Sequence, residues 1–522
     1  MSSVLLWAVL LTGIVVLTPL SDRLRVPQPV LLTIFGLAVP LFPFTPELRL
    51  QPEYILPVVL PPLLFAATQR TTAREFRNNA RPIAILAIGL TIASAGAVAC
   101  VAHWAGLDWG PAWVLGAIVA PPDPVAATAV ARRLRLPGRI VTVLEGEGMF
   151  NDATALVLYH VAVAAVVTGE VTAGGVTLDL LLAVVGGILV GLVGGWLGHL
   201  VLGRLHIAAA ETTVTIALPF VAYLLAEEIG GSGVLAVLTL GLLLRSVSHT
   251  SVTSGGWLVG RVVWEYLDYL ITAVVFVLIG FELTAVMESS PVASTALPLA
   301  LGVIGVLVVL RFAWMFPSVL LVRSIVRRRG STRETFTNPE AFVISWAGMR
   351  GVVTVASALA LPWAAEGSSG FPDRDTIVFV GLATVLATLV LQGLTLAPVV
   401  KAAKVGSEVD EAAEAAALRE RATSAALDAA RARQDVPALV QRAVVEQYEG
   451  RLATLELRRS IRTGEAESLT EPHPETLSEL LRETTEVERE LVIRARNHGE
   501  VSPEVADEVL HEIEERAVRE GE

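Results

Sequence analysis

Through residue 400 the apolar positions neither alternate nor recur at helical spacing. They run in near-continuous blocks of roughly 20 residues, long enough to cross the hydrocarbon core of a bilayer. Thirteen blocks are predicted as membrane-spanning helices, at about residues 3–20, 26–44, 53–68, 81–106, 111–131, 140–168, 174–203, 210–228, 231–245, 263–287, 294–322, 340–363 and 375–400. The first lacks a basic leader and is followed at once by Arg23 and Arg25, so it reads as a span and not as a secretory signal. Beyond residue 400 the blocks stop. Segments 408–460 and 475–522 are rich in Ala, Leu, Glu and Arg, with breaks near Pro437, Gly464 and Pro472-His473-Pro474, a pattern that predicts several soluble helices. The expected fold is an all-α polytopic membrane protein of about 13 transmembrane helices over residues 1–400, followed by a soluble helical tail over residues 401–522.

Two spans are interrupted near mid-depth, the fifth by Pro121-Pro122-Asp123-Pro124 and the twelfth by Gly348-Met349-Arg350-Gly351. Proline removes a backbone donor and clashes with the preceding turn, and glycine lowers the cost of leaving helical geometry. Unwound backbone inside a membrane must line a cavity or be buried in protein. The two breaks lie seven spans apart, the offset expected if spans 1–6 and 8–13 are inverted repeats linked by span 7. A pair of interrupted spans is the sequence mark of a transporter site.

Charge adds orientation. Alternate loops hold arginines: Arg23 and Arg25; Arg70, Arg74, Arg77 and Arg81; Arg132, Arg133, Arg135 and Arg139; Arg204; Arg245 and Arg261; Arg323, Arg327, Arg328, Arg329 and Arg333. Intervening loops such as 105–111 and 287–294 carry almost none. By the positive-inside rule the N-terminus is expected outside and the tail in the cytoplasm, with the protein in the plasma (inner) membrane. The chain is 53% hydrophobic and 17% charged, and its net charge of −12 resides almost wholly in the tail, where residues 401–522 hold 28 acidic and 17 basic side chains. The tail reads as solvated amphipathic helices. Cys100 is the single cysteine, which excludes an intramolecular disulfide or a cysteine-based metal site. No phosphate-binding loop with its lysine is present, and the glycines of span 7 are explained by helix packing, so neither a nucleotide nor a nucleic acid is expected as a partner. Membrane lipid is.

Among the charged residues within spans, five stand out: Asp123 in span 5, Glu147 and Asp152 in span 6, Arg311 in span 11 and Arg350 in span 12. Such charges are costly in a bilayer and face a bundle interior or an aqueous cavity. Along span 6, Glu147 and Asn151 are four residues apart and share a face, whereas Asp152 lies about 140° from Glu147 around the axis. The two carboxylates are thus free to differ in role, with Glu147 bridged to an intramembrane arginine and Asp152 facing a water-filled path beside Asp123. A permanent pairing of Asp152 with Arg350 is the competing arrangement. Desolvation raises a carboxylate's proton affinity until a proton and a hard cation compete for the same oxygens. Competition at one site, with alternating access, is antiport. Na+ and Li+ take oxygen ligands, which Asp152, Asp123 and the freed carbonyls at residues 121–124 can supply. Exchange at Asp152 alone gives one-for-one, electroneutral stoichiometry. Asn151 cannot titrate and is expected to orient the site or tether span 5. His160, two turns outward, reads as a packing donor, and Glu227, Glu228, Glu265, Asp268 and Glu282 read as helix-end charges.

At these residues the sequence resembles the bacterial sodium/proton exchanger branch of the cation:proton antiporter-1 family. The matching segments are Leu60-Pro61-Pro62-Leu63-Leu64-Phe65, Asp123-Pro124-Val125, Gly146-Glu147 with Asn151-Asp152, Ser232-Gly233, and Gly348-Met349-Arg350-Gly351. The resemblance implies a homodimer with a dimerisation domain and a mobile six-helix core. It also implies Asn151-Asp152 as the ion-site pair with Asp123 beside it, a Glu147–Arg311 bridge, and Arg350 as the arginine of the second broken helix. Two ligand positions depart from the family pattern, Gly148 where serine is common and Pro122 where threonine is, and residues Ala66, Ala67 and Thr68 lack the acidic group of some relatives.

The expected function is therefore secondary antiport of a monovalent cation, Na+ or Li+, against H+, with pH homeostasis as its setting and no cofactor. K+/H+ exchange by the same mechanism is the alternative. A channel would need a filter of repeated carbonyls or charge rings, which the sequence lacks. An intramembrane aspartyl hydrolase built on Asp123 and Asp152 is the distant alternative; the chain is not expected to be an enzyme.

Overall fold

The structure, a computed structural model, describes residues 3–24, 26–41, 51–70, 83–123, 127–128, 131, 136–168, 173–289, 292–328, 336–363, 370–405, 411–433, 435–463, 485–495, 509, 513 and 516. The chain divides into two compact units, Met1–Ser407 and Glu408–Glu522. Among the described residues all regular structure is helical.

In the first unit the apolar blocks become α1 (Ser3–Leu24), α2 (Gln28–Ala38), α3 (Pro52–Arg70), α4 (Ile85–Trp104, opening with a π-helical stretch), α5 (Trp109–Val119), α6 (Gly138–Thr168), α7 (Ala173–Leu202), α8 (Ala208–Glu228), α9 (Gly233–Ser251), α10 (Ser254–Ser289) and α11 (Val292–Arg328). The last three are α12 (Asn338–Trp346), α13 (Val352–Leu359) and α14 (Arg374–Ala403). Many of these helices leave large apolar side chains exposed, among them Leu181, Leu189, Val193 and Trp196 on α7. In water that would be prohibitive, whereas lipid accepts it. Small residues let helix backbones approach: a Cβ on Gly191 of α7 would stand 2.5 Å from the Ala236 carbonyl of α9.

Seven described helices, α4, α6, α7, α8, α10, α11 and α14, are long and apolar enough to cross a membrane, and four shorter apolar stretches (residues 6–21, 28–41, 109–119 and 233–247) lie among them. A count of thirteen spans does not follow from helix length alone, because two expected spans are divided. Instead of running to residue 131, the fifth leaves helical geometry after Val119, as Pro121 and Pro122 supply no N–H to continue the ladder. The twelfth becomes two short helices, α12 of 9 residues and α13 of 8, separated at residues 347–351. A capping box starts α12: the Glu340 N–H donates to Thr337 Oγ1, and the Glu340 carboxylate accepts from the Thr337 N–H. Arg139 at the start of α6 holds the same Glu340 at 2.5 Å.

The second unit contains α15 (Glu411–Ala432) and α16 (Ala438–Thr463), packed as a hairpin that turns at Pro437. Gln441 Nε2 donates to the carbonyls of Ala430, Arg431 and Arg433, so it closes the C-terminal end of α15. Arg431–Glu449 and Arg459–Glu420 ion pairs tie the two helices together. The expected breaks at Gly464 and Pro472-His473-Pro474 lie outside the described residues. So do Arg25, Arg74, Arg77, Arg81, Arg132, Arg133, Arg135, Arg329 and Arg333 of the basic loops, and Pro124.

Candidate ion site

The two interrupted segments cross, and their backbones touch: the Asp123 N–H donates to the Met349 carbonyl at 2.7 Å. Each broken helix exposes unpaired backbone groups at its ends. At this crossing two opposite charges answer them. The Asp123 carboxylate accepts the Val352 N–H at the start of α13 (3.2 Å), where a helix dipole is positive. Arg350 lies at the negative ends, donating from Nε to the Val119 carbonyl (3.0 Å), from Nη2 to the Ala120 carbonyl (3.3 Å) and from Nη1 to the Gly348 carbonyl. Its own N–H donates to Thr388 Oγ1 on α14 at 3.1 Å. Glycine is required where the chains meet, since a Cβ on Gly351 would fall 1.5 Å from Asp123 Oδ2.

Residues 145, 148, 149 and 152 of α6 follow helical spacing and form one face, while Glu147 and Asn151 occupy another. Glu147 is consumed by Arg311 of α11, which donates from Nη1 to Oε1 at 2.6 Å and from Nη2 to Oε2 at 3.0 Å. Arg311 donates also to the Ile344 carbonyl at the end of α12. Both side chains are almost wholly buried, a bidentate geometry that suits a desolvated pair. Asn151 Nδ2 donates to the Pro122 carbonyl at 2.9 Å and so ties α6 to the break after α5; its Oδ1 is buried without a donor among the described residues.

The opposite face of α6 turns Asp152 into a cavity of about 80 Å3, shared with Asp123, Pro121, Gly148 and Thr354. Asp152 makes no hydrogen bond or ion pair among the described residues. Arg350 is not its partner, because the guanidinium is taken up by helix-end carbonyls. Thr354, which also lines this cavity, has no partner for Oγ1 among the described residues. Two carboxylates and the Thr354 hydroxyl line this cavity, oxygen donors of the kind a small hard cation takes.

Three further polar residues line the same cavity that reading the sequence did not place there: Glu145, Thr128 and Asp268. The sequence alone places Asp268 toward a helix end. The structure corrects this, because α10 starts at Ser254, well before the expected residue 263, and so places Asp268 about four turns inside the helix at 3.6 residues per turn. The turn signal at residues 252–253, with the Trp257 N–H donating to the Thr253 carbonyl, is the feature that marks the true start.

Residues 9–402 match the family described as "Sodium/hydrogen exchanger, transmembrane". The chain belongs to that family. It is a cation/proton antiporter, a multi-pass membrane transporter. An uncharacterized Na+/H+ exchanger of Mycobacterium tuberculosis is 36% identical over 426 residues, covering 80% of this exchanger and 78% of that protein. A sodium, potassium, lithium and rubidium/H+ antiporter of Bacillus subtilis is 31% identical, over 71% of this exchanger and 57% of the relative. Among solved structures, the sodium proton antiporter MjNhaP1 of Methanocaldococcus jannaschii at pH 8 shares the exchanger's fold. Its TM-score is 0.60 at 18% identity, covering 76% of this chain and 98% of that one.

Proposed function

We propose that the exchanger moves Na+, and also Li+, against H+ across the plasma membrane, one for one, with Asp152 as the group that carries the proton in one half of the cycle and the cation in the other. A single observation carries the reading. Among the described residues Asp152 meets the cavity with no counter-ion, whereas Glu147 and Arg350 are engaged by Arg311 and by helix-end carbonyls. Asp123, held by two backbone contacts, adds negative potential and a second oxygen, and Asn151, through its amide nitrogen, fixes the broken segment at Pro122. Residues 1–400 form the exchanger domain and 401–522 the cytoplasmic tail, with the N-terminus outside, as the arginine-rich loops indicate. The working form is a homodimer.

A second reading, K+/H+ exchange at the same site, is favoured by the cation range in the name of the B. subtilis relative and by Gly148, which adds no hydroxyl to the cavity wall where serine is common in the family. The test is reconstitution in liposomes carrying a pH-sensitive dye, with an imposed proton gradient and Na+, Li+ or K+ added in turn to wild type and Asp152→Asn. Dye recovery on cation addition that disappears in the variant is expected, and the order of the cations decides between the readings. Because proton and cation compete for one carboxylate, the apparent KM for Na+ should rise as pH falls, approaching about tenfold per pH unit once the carboxyl is mostly protonated. A KM independent of pH would mean that the two ions use separate groups.

A further inference from the structure

A second cavity, of about 640 Å3, opens where α3, α8, α9 and α10 converge, and Thr128 lines both it and the ion-site cavity. Its wall contains Glu211, in the first turn of α8, with 1% of its surface exposed. Only one side of that carboxylate is engaged among the described residues: Oε2 accepts the Thr253 N–H at 3.1 Å and the Thr253 hydroxyl at 3.0 Å, while Oε1 has no partner there. The adjacent Thr212 Oγ1, in the same wall and 6% exposed, is likewise without a partner among the described residues. The position is built around the carboxylate, since a Cβ on Gly256 would stand 1.6 Å from Glu211 Oε2. Leaving a buried acceptor unsatisfied costs roughly 1–3 kcal/mol, and more for a charged group, so two together call for a ligand. The cavity's basic side chains do not supply one. Arg261 is bound to Glu265 at 2.9 Å and lies over the Trp257 ring, and Arg245 has an interaction of its own.

We infer that Glu211 Oε1 and Thr212 Oγ1 form a second cation site, a staging position for a partly hydrated monovalent ion that then passes along the wall at Thr128 to Asp152. The inference rests on the antiport reading for its direction of use but not for the site itself. A carboxylate oxygen, a hydroxyl and water are the ligands a hard monovalent cation accepts. A site preceding the exchange site raises the local concentration of the ion and lowers the KM without contributing to the transport step.

The experiment is equilibrium binding of radioactive sodium to purified full-length protein. Asp152→Asn protein, which has lost the exchange carboxylate, should keep saturable, weaker sodium binding, and Asp152→Asn/Glu211→Gln protein should lose it. Gln keeps an oxygen for the Thr253 contacts, so the loop stays anchored. In liposomes, Glu211→Gln alone should raise the KM for Na+ several-fold while the maximal rate stays within about twofold. Thr212→Val, which leaves the Thr253 bonds untouched, should also weaken sodium binding and guards against a folding defect in the first variant. Sodium binding by Asp152→Asn protein that neither substitution weakens, or the absence of any binding above background, overturns the inference and leaves Glu211 as an anchor for the loop between α9 and α10. Binding is read without transport, so failure of the antiport reading would be seen separately, as wild-type protein that exchanges no cation.

Discussion

At the scale of single residues, the charges of the core divide by what surrounds them. Arg311 and Glu147 are 5% and 2% exposed and joined by two hydrogen bonds. Replacing one partner strands the other in a dry interior, which typically costs about 3–5 kcal/mol. Glu147→Gln and Arg311→Met should therefore each lower the melting temperature of the detergent-purified protein by several degrees, with the double variant recovering part of the loss. Additive losses in that cycle would show that the two side chains do not depend on one another. Asp152 behaves oppositely. With no partner to strand, Asp152→Asn should leave the melting temperature near that of wild type while abolishing exchange. The difference in environment, rather than the shared presence of a carboxylate, separates a structural residue from an exchanging one. Sequence position placed both within span 6; the choice of Arg311 as the partner of Glu147, across 164 residues, has no local mark, and only the family resemblance implied it.

At the scale of elements, the crossing of the broken segments is a solution to backbone electrostatics. Three described helix ends, those of α5, α12 and α13, meet inside apolar surroundings, and Asp123 and Arg350 each serve an end whose partial charge is opposite to their own. The prolines and glycines at residues 121–122 and 348–351 announced the breaks, because each removes a donor or relaxes helical geometry. What serves the freed groups was not announced: a carbonyl partner such as that of Val119 belongs to the backbone and leaves no side-chain signature. Arg350→Lys should reduce exchange strongly even though charge is preserved, since an ammonium cannot span three carbonyls fixed in a guanidinium's plane. Gly351→Ala, which drives a methyl into Asp123, should do the same, whereas Gly305→Ala, in open space on α11, should not. Exchange rates normalised to protein inserted in the liposome check all three, and an active Gly351→Ala would show that the crossing relaxes more easily than its geometry allows.

At the scale of the whole molecule, the division at Ser407 and Glu408 separates two units with different solvents. The first exposes apolar side chains along its helices; the second is a hairpin held by exposed ion pairs and the cap from Gln441. Surface pairs of this kind contribute on the order of 0–1 kcal/mol each, so the tail's stability rests mostly on helix packing. A chain ending at Ser407 should insert and exchange with a KM for Na+ close to that of the full protein, measured in the same dye assay. Loss of insertion, rather than of exchange, would assign the tail a role in assembly. Oligomer mass in detergent, compared between the two lengths, tests whether the proposed homodimer depends on the tail.

What the sequence by itself determined is what a bilayer imposes on a chain: apolar blocks of spanning length, interruptions at Pro121–Pro122 and Gly348–Gly351, a charge switch after residue 400, and a few charged residues too expensive to be incidental. Those constraints act position by position and can be read position by position. The tertiary structure alone decided which charges are consumed and which remain. It turned Asp152 to a cavity and Glu147 to Arg311 from neighbouring turns of one helix, brought Asp268 of α10 to the same cavity, and left Glu211 with one oxygen unengaged. Pairing of that kind depends on the rotation and contact of helices distant in sequence, and a desolvated group acquires its chemistry from the partners it meets there.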